Sequence, residues 1–205
     1  MILFYIISLI NPSIVRLRYS GGDWYNDPDI IPNLAVEINT RTDIEISKKE
    51  VILSLNDSEV YSYPFLFITG HGQINLSKSE LKNLRNYLWN GGFIYVDDDY
   101  GMDEHFREQL NNAFPKHKLV QLPVDHEIYN IFFKLPEGLP KIHEHYKGAP
   151  KGYGLFLKGR LALFYTFNSN ISDGWAAPSV YRDPEELREK ALKMGINIYI
   201  YAMTH

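Results

Sequence analysis

The chain has no cysteine among its 205 residues. This absence excludes thiol nucleophiles, disulfides, and zinc or iron–sulfur sites with cysteine ligands. A G-x-S-x-G nucleophile elbow, a G-x-G-x-x-G dinucleotide motif and a P-loop are also missing. Covalent acyl transfer is therefore disfavoured, and any catalysis is expected to use carboxylate or histidine acid–base chemistry, with or without a metal.

Positive charge is not in excess. Lysine and arginine total 21 against 25 aspartate and glutamate, a formal net charge of -4. Because a nucleic-acid binder needs a basic face, this balance predicts no nucleic-acid partner. The hydrophobic share of 45% and the charged share of 22% are ordinary for a globular fold, and the length suits one domain.

Charge is missing from the N-terminal segment, where Met1 to Ile10 are almost wholly apolar and Arg16 is the first charged residue. A secretory signal begins with basic residues, and a membrane-spanning helix needs about 20 apolar residues. Two interpretations stay open: residues 1–13 are an export signal, or they are an extra N-terminal strand or helix. An exported or periplasmic location is slightly favoured over a cytoplasmic one, and residues 14–205 are predicted to form a single α/β domain.

Apolar runs alternate with helical patterns along the rest of the chain, which predicts an α/β fold with a mainly parallel sheet. Strands are predicted over residues 14–19, 51–55, 65–69, 93–96 and 119–122, and an antiparallel hairpin over residues 154–167 in the C-terminal half. Helices are predicted over residues 29–41, 77–90, 103–114, around 126–133 and from 183 to about 194. Residues 196–203 fit either a final strand or a continuation of the last helix through Gly195.

The segment from residue 65 to residue 96 fixes the direction of two strands. Ser77 and Glu80 form a capping box at the start of a helix with leucines at helical spacing. Strand, helix and strand within about 35 residues is typical of a βαβ unit, whose two strands are parallel. The link over residues 56–63 is short for such a crossover, so either the preceding strand lies earlier, near residues 44–46, or the link is one tight helical turn.

Three polar clusters each follow an apolar strand, at residues 20–28, 69–72 and 97–99. If those strands are parallel neighbours, all three clusters open at one end of the sheet. Open α/β sheets bind ligands outside the carboxyl ends of their strands, so the sequence predicts a site there.

Two of these clusters suggest acid–base or metal chemistry. His71, between two glycines, is a candidate general base or metal ligand, and we pair it with Asp98 as the candidate catalytic residues. Asp97, Asp98 and Asp99 repel one another, so they need a cation such as Mg²⁺ or Ca²⁺, hydrogen-bond donors, or a raised pKa. The structural alternative is that backbone amides of the following turn and helix satisfy them.

Aspartate and tryptophan on glycine turns suggest recognition of a polar ligand. The candidate ligand-binding residues are Gly22, Asp23, Trp24, Asp97, Asp99, His126, Asp173 and Trp175. A tryptophan can stack on a sugar ring while a carboxylate fixes its hydroxyls, although the first cluster also fits a purely structural turn. His143 and His145 flank Glu144 without an H-E-x-x-H pattern, so a zinc protease is disfavoured.

The chain resembles the bacterial "domain of unknown function 4159" family over about residues 16–204. The resemblance is carried by Arg16-Leu17-Arg18-Tyr19, Gly21-Gly22-Asp23-Trp24-Tyr25, Asp27-Pro28, Pro64-Phe65-Leu66, Thr69-Gly70-His71-Gly72, Gly91-Gly92-Phe93, Asp97-Asp98, Phe114-Pro115, Leu122-Pro123, Asp125-His126, Gly159-Arg160, Asp173-Gly174-Trp175, Gly195-Ile196-Asn197-Ile198 and Tyr201-Ala202. It implies a flavodoxin-like three-layer sandwich similar to class I glutamine amidotransferases. Their cysteine nucleophile is absent here, and the Asp97-Asp98 turn looks like its counterpart.

These observations lead to a ranked set of functions. The first is a polar-ligand-binding domain, its ligand carbohydrate-like, on an amidotransferase-like fold that does not hydrolyse glutamine. The alternatives are a hydrolase using His71 and Asp98, with or without a metal, and a scaffold in an envelope complex with a membrane-protein partner, since members of the resembled family are often exported or membrane-associated. No organic cofactor is expected, a divalent metal stays open, and the oligomeric state is not predicted.

Overall fold

The apolar runs assemble into one seven-stranded sheet. The computed structural model describes residues 12–205, so the interpretation of residues 1–13 as a signal or extra segment lies almost wholly outside the described residues. The strands are β1 Val15–Leu17, β2 Ser20–Gly21, β3 Val51–Leu53, β4 Phe65–Ile68, β5 Ile74–Asn75, β6 Phe93–Asp97, β7 Val120–Gln121, β8 Lys151–Leu157 and β9 Arg160–Phe167. The large sheet has the order β3-β1-β4-β6-β9-β8-β7, and β2 pairs with β5 in a separate ribbon.

Five strands of the large sheet are parallel: β3, β1, β4, β6 and β9. In chain order they run 2-1-3-4-5, which is the order of a doubly wound sheet. Strands β8 and β7 continue the sheet with antiparallel pairing. The prediction of a mainly parallel α/β sheet with antiparallel additions in the C-terminal half is therefore confirmed.

Helices cover both faces of this sheet. They are α1 Ile30–Arg41, α2 Lys78–Trp89, α3 Asp103–Ala113, α4 Pro178–Tyr181 and α5 Glu185–Thr204. Helices α1 and α5 share a core with one face of the sheet, and α2 and α3 share a core with the other. In β4, Phe65 faces the first core and Leu66 the second. Because both faces are covered, the strand is apolar throughout rather than alternating.

Helix α2 forms as the sequence predicts. The Ser77 side chain accepts a hydrogen bond from the backbone N–H of Glu80, and the Glu80 carboxylate accepts one from the backbone N–H of Ser77. The link from β3 to β4 contains a 3₁₀ turn over Ser58–Ser62, so the tight helical turn was the better of the two alternatives.

The last helix continues through Gly195 to Thr204, so the alternative of a final strand is wrong. A methyl group at Gly195 would lie 2.8 Å from side-chain atoms of Leu34 and Trp175. Glycine is therefore required for the close approach of α5 to α1, rather than as a helix end. Among residues 12–205, no helix combines the length and apolar character needed to cross a membrane.

The predicted short helix around residues 126–133 is only a 3₁₀ turn over Glu127–Tyr129. The backbone N–H of Phe133 donates to the buried side chain of Asn197 on α5, which donates in return to the Phe133 carbonyl. These side-chain bonds take up backbone groups that a longer helix would use, so the segment docks on α5 as a loop.

Candidate functional site

The loops after β1 and β4 meet where the sheet order reverses. The backbone N–H of His71 donates to Asp23 Oδ1 at 2.5 Å, and His71 Nδ1 lies 3.0 Å from Asp23 Oδ2. Connections from β1 and β4 run to opposite sides of the sheet, which opens a crevice between their carboxyl ends. The structure therefore brings two of the predicted site residues, from separate clusters, into one contact.

Asp99, after β6, joins four loops. His71 Nε2 lies 3.2 Å from Asp99 Oδ2, Asn26 Nδ2 donates to the same oxygen at 2.6 Å, and Asn170 Nδ2 donates to Asp99 Oδ1 at 2.7 Å. These three partners follow β1, β4 and β9. Asp99 is only 2% exposed, so it is the buried centre of the site.

Three carboxylates converge beside this centre. One oxygen from each of Asp27, Asp99 and Asp173 lies within 4.8 Å of the others. Burial, followed by the charges of Asp173, Asp97 and Asp27, raises the pKa of Asp99, and burial raises the pKa of Asp27. No lysine or arginine of the described residues forms an ion pair with these three carboxylates. The three are called the acidic triad below.

A second histidine lies on the other side of the acidic triad. His143 Nδ1 is 2.8 Å from Asp173 Oδ2, and His143 Nε2 is 3.2 Å from Asp183 Oδ1. The hydrogen bond to Asp173 is the main cause that raises the pKa of His143. Two imidazoles, each held between two carboxylates, thus flank the acidic triad.

A buried arginine shapes the loop that carries Asn26 and Asp27. Arg16, on β1 and 1% exposed, pairs with Glu50 at 2.8 Å. Its two Nη atoms donate to the carbonyl oxygens of Trp24, Asn26 and Asp27 at 2.6 to 3.1 Å. The guanidinium is a rigid fork of donors, so it holds three carbonyl groups of the loop at once.

Close backbone contacts hold the β1 and β4 loops together. A methyl group at Gly22 would overlap the His71 carbonyl oxygen, and one at Gly70 would overlap the Tyr19 hydroxyl. Asp27 and Asn170 adopt left-handed φ values of 47° and 55°. Such values are uncommon for residues other than glycine and cluster at functional sites.

Asp97, the last residue of β6, and Asp98, which follows it, have different roles. Asp97 is fully buried and accepts hydrogen bonds from Thr166 Oγ1 and from the N–H and hydroxyl of Ser172, which anchors the loop after β9. Asp98 turns to the opposite side and accepts the backbone N–H of Met102 at the start of α3. Burial raises the pKa of Asp97 and of Asp98 to about 6 each.

The structure does not bring the two predicted catalytic residues, His71 and Asp98, into contact. The described contacts of His71 are to Asp23 and Asp99, and Asp98 contacts the α3 terminus instead. The structural alternative, satisfaction by amides of the next helix, describes the contact of Asp98 Oδ1, whereas Asp98 Oδ2 is buried without a hydrogen-bond partner.

The two candidate tryptophans lie in different surroundings. Trp175 is 2% exposed, its rings lie 5.6 Å and 6.0 Å from those of Phe67 and Tyr95, and its Nε1 donates to the Ala191 carbonyl. It is a core residue with no ring face available to a ligand. Trp24 is half-buried against the core on the α2 side, and its indole meets the ring of Tyr25 edge-on.

His126 lies at the other end of the sheet. Its ring is 5.9 Å from that of Tyr201, which is 6.2 Å from the ring of Phe93, the first residue of β6. The acidic triad lies beyond the last residue of β6, so His126 is not brought together with the other predicted site residues. Burial lowers its pKa, and its Nδ1 accepts the N–H of Ile128.

Tyrosines, rather than tryptophans, form the exposed rim of the site. Tyr100 is 47% exposed, with its ring 4.8 Å from that of His145 and 5.5 Å from that of Tyr146. Tyr181 contacts the His143 ring at 4.9 Å and hydrogen-bonds to Asp27. The rim therefore offers aromatic faces next to carboxylates.

Several residues of the site were absent from the predicted set: Arg16, Asn26, Asp27, Tyr100, Asn170, Tyr181 and Asp183. Two signals for them exist in the sequence. An arginine inside an apolar strand indicates a buried, paired charge. The polar run over residues 168–173 follows β9, a fourth parallel strand, so the rule applied to the other three strands also locates Asn170.

Comparison with protein-family models matches residues 13–203 to a family described as "Domain of unknown function (DUF4159)". The comparison with curated proteins gives no match. The family description assigns no activity, so function has to be argued from the geometry of the site.

Proposed function

This chain belongs to the DUF4159 family, and from that premise we propose that it binds a hydroxyl-rich, carbohydrate-like polar ligand at the crevice. The observation that carries the proposal is the convergence of Asp27, Asp99 and Asp173 beside the carboxyl ends of parallel strands. Carboxylates accept hydrogen bonds from ligand hydroxyl groups, and crevices at this position are where doubly wound sheets bind ligands.

The charge of the site selects among polar ligands. Five carboxylates surround two histidines, and the residues described supply no lysine or arginine partner to the acidic triad. Phosphate or carboxylate ligands would be repelled, whereas neutral polyols and cations would not. The exposed ring of Tyr100 suits contact with the apolar face of a sugar.

The parent fold we propose is that of class I glutamine amidotransferases. The strand order 2-1-3-4-5 supports this relation, because it is the order of flavodoxin-like sheets. In the proposed relation, the turn after β6 replaces the cysteine nucleophile with Asp97 and Asp98. Glutamine hydrolysis is therefore not part of the proposal.

Hydrolysis of a glycosidic bond is the second candidate function. Two features favour it: the raised pKa of Asp99, which suits a general acid, and its distance of less than 4.8 Å from oxygens of Asp27 and Asp173. In this reaction Asp99 protonates the leaving oxygen and the carboxylate of Asp27 or Asp173 attacks the sugar carbon, as at the short carboxyl separation of retaining glycosidases; water then releases the sugar from that carboxylate. These carboxylates replace the predicted pair of His71 and Asp98.

A thermal-shift screen followed by calorimetry tests the binding proposal. Neutral monosaccharides and oligosaccharides are expected to raise the Tm of the full chain, and inorganic phosphate is not. Asp173→Asn should reduce the sugar response at least tenfold in affinity, since it removes one acceptor charge. Asp125→Asn, an exposed aspartate beside His126 at the other end of the sheet, is the matched control and should respond as the wild type does.

The outcomes separate the candidates. A rise in Tm with phosphate and with no sugar contradicts the charge argument. If no sugar raises the Tm, the binding proposal is wrong and the envelope scaffold is the alternative that stays. If the protein releases the chromophore from aryl glycosides, the hydrolase is supported over simple binding. The release should then be lost in Asp99→Asn and kept in Asp98→Asn.

A further inference from the structure

Two amide side chains that contact the acidic triad carry buried oxygens without a hydrogen-bond partner. Asn170 is 1% exposed, and its Nδ2 lies 2.7 Å from Asp99 Oδ1 and 3.3 Å from Asp173 Oδ2. Its Oδ1 is buried without a hydrogen-bond partner, and so is Oδ1 of Asn26, whose Nδ2 donates to Asp99. Buried carbonyl oxygens normally have a partner, so two unpartnered oxygens on amides whose Nδ2 atoms contact Asp99 call for a ligand beside the acidic triad.

We propose that the protein holds a hard divalent cation, of the Mg²⁺, Ca²⁺ or Mn²⁺ class, between Asp27, Asp99 and Asp173, with the amide oxygens of Asn26 and Asn170 as further ligands. A half-turn of each amide about its last side-chain torsion exchanges Nδ2 for Oδ1 without moving the backbone. The exchange would bring carbonyl oxygens against Asp99, an arrangement that is unfavourable unless a cation lies between them.

The ligand types select the class of cation. Three carboxylates and two amide oxygens, completed by water, make an all-oxygen set, which suits hard cations and does not suit zinc. The imidazoles of His71 and His143 are already held by carboxylates on both ring nitrogens, so they are placed around the cation and are not among its ligands. This cation site uses the crevice of the proposed function but does not depend on the class of organic ligand.

Calorimetric titration of the full chain, freed of metal with EDTA and dialysed, tests the site. Mn²⁺, Ca²⁺ and Mg²⁺ are each titrated alone, and Zn²⁺ is titrated for comparison. Saturable binding of one hard cation per chain is expected, with a rise in Tm of about 5 °C at a hundredfold excess over Kd. Absence of saturable binding by all three hard cations overturns the proposal, as does binding of zinc that is lost in His71→Gln.

Two glycine variants of the same loop separate ligation from folding. Asn170 and Asn168 are both buried and left-handed, with φ of 55° and 57°, so glycine fits either backbone. Asn170→Gly removes a proposed ligand and should weaken the cation at least tenfold. Asn168 bonds to Tyr146 and Gly148 instead, so Asn168→Gly should lower Tm and leave cation affinity unchanged. If both variants bind the cation as tightly as wild type does, Asn170 is not a ligand of the cation.

Asp27→Asn provides a readout that does not depend on loss of stability. It removes one charge of a mutually repelling group at a position whose left-handed φ of 47° asparagine tolerates, so the metal-free variant should be at least as thermally stable as wild type while its response to cations is lost. Sugar binding measured in EDTA distinguishes the two proposals. If the protein binds sugar but no cation, the cation site is wrong and the sugar proposal stands. If it binds the cation but no sugar, the sugar proposal is wrong and the cation site stands.

Discussion

Replacing Arg16 with methionine should destabilise the protein far more than removal of an ordinary surface arginine. Arg16 is 1% exposed and makes four hydrogen bonds, to Glu50 and to three carbonyl oxygens of the β1 loop. Methionine is close in size to the arginine stem but has no donors. The substitution therefore isolates the loss of the guanidinium from the loss of packing.

The size of the effect follows from what is left behind. Breaking a buried ion pair costs about 3–5 kcal/mol when one partner remains as an unpaired charge. The Glu50 side chain keeps 17% of its exposure, so water relieves part of that cost. The three orphaned carbonyls add about 1 kcal/mol each where water cannot reach them. We expect Arg16→Met to lower the free energy of unfolding by about 4 kcal/mol.

Urea unfolding followed by circular dichroism measures this difference. Arg41→Met is the control, since Arg41 pairs with Glu37 and Glu189 with a quarter of its side chain exposed, and exposed pairs contribute at most about 1 kcal/mol each. Equal losses in the two variants would refute the reasoning that the buried fork holds the loop. Glu50→Gln on top of Arg16→Met should recover part of the loss, because it removes the stranded charge.

Three further predictions concern single sites. Trp175→Ala should lower the free energy of unfolding by about 3–5 kcal/mol, whereas Tyr100→Ala should change it by less than about 0.5 kcal/mol; comparable losses would contradict the core position of the indole. Gly70→Ala should lower the free energy of unfolding by at least about 2 kcal/mol more than Gly148→Ala does. Both glycines have positive φ, but only Gly70 has no room for a methyl group. Equal urea midpoints of the two variants would exclude that steric cause. Burial lowers the pKa of His126, and its unprotonated ring nitrogen caps a 3₁₀ turn. Because the unfolded chain then binds the proton first, wild type should lose stability relative to His126→Asn as pH falls below about 6.5. Urea midpoints measured at pH 8 and pH 5.5 test this, and the reverse trend would contradict it.

The position of the site was predictable because it depends on strand direction alone. The βαβ unit around α2 makes β4 and β6 parallel neighbours, and the clusters containing His71 and Asp99 follow those strands. The capping box at Ser77 marks the helix start. Each of these features depends on residues close together in the sequence.

The partner of His71 was not predictable from the sequence. Alternation along a strand places Asp98 and Asp99 on opposite sides, but it does not indicate which side faces the crevice. Strand β6 is buried on both faces, so its apolar pattern carries no asymmetry that would distinguish them. Trp175 on a glycine turn was misread for a related reason, because the close approach of α5 at Gly195 that buries it is a contact between distant segments.

The polar contacts that Asp99 makes with three other loops have a consequence for local opening reactions. Four segments far apart in the sequence share one carboxylate, so they should open to solvent together rather than singly. Anything that binds there should slow amide hydrogen exchange in four separate peptides by a similar factor. The region would then act as one cooperative unit although no stretch of chain connects its parts directly.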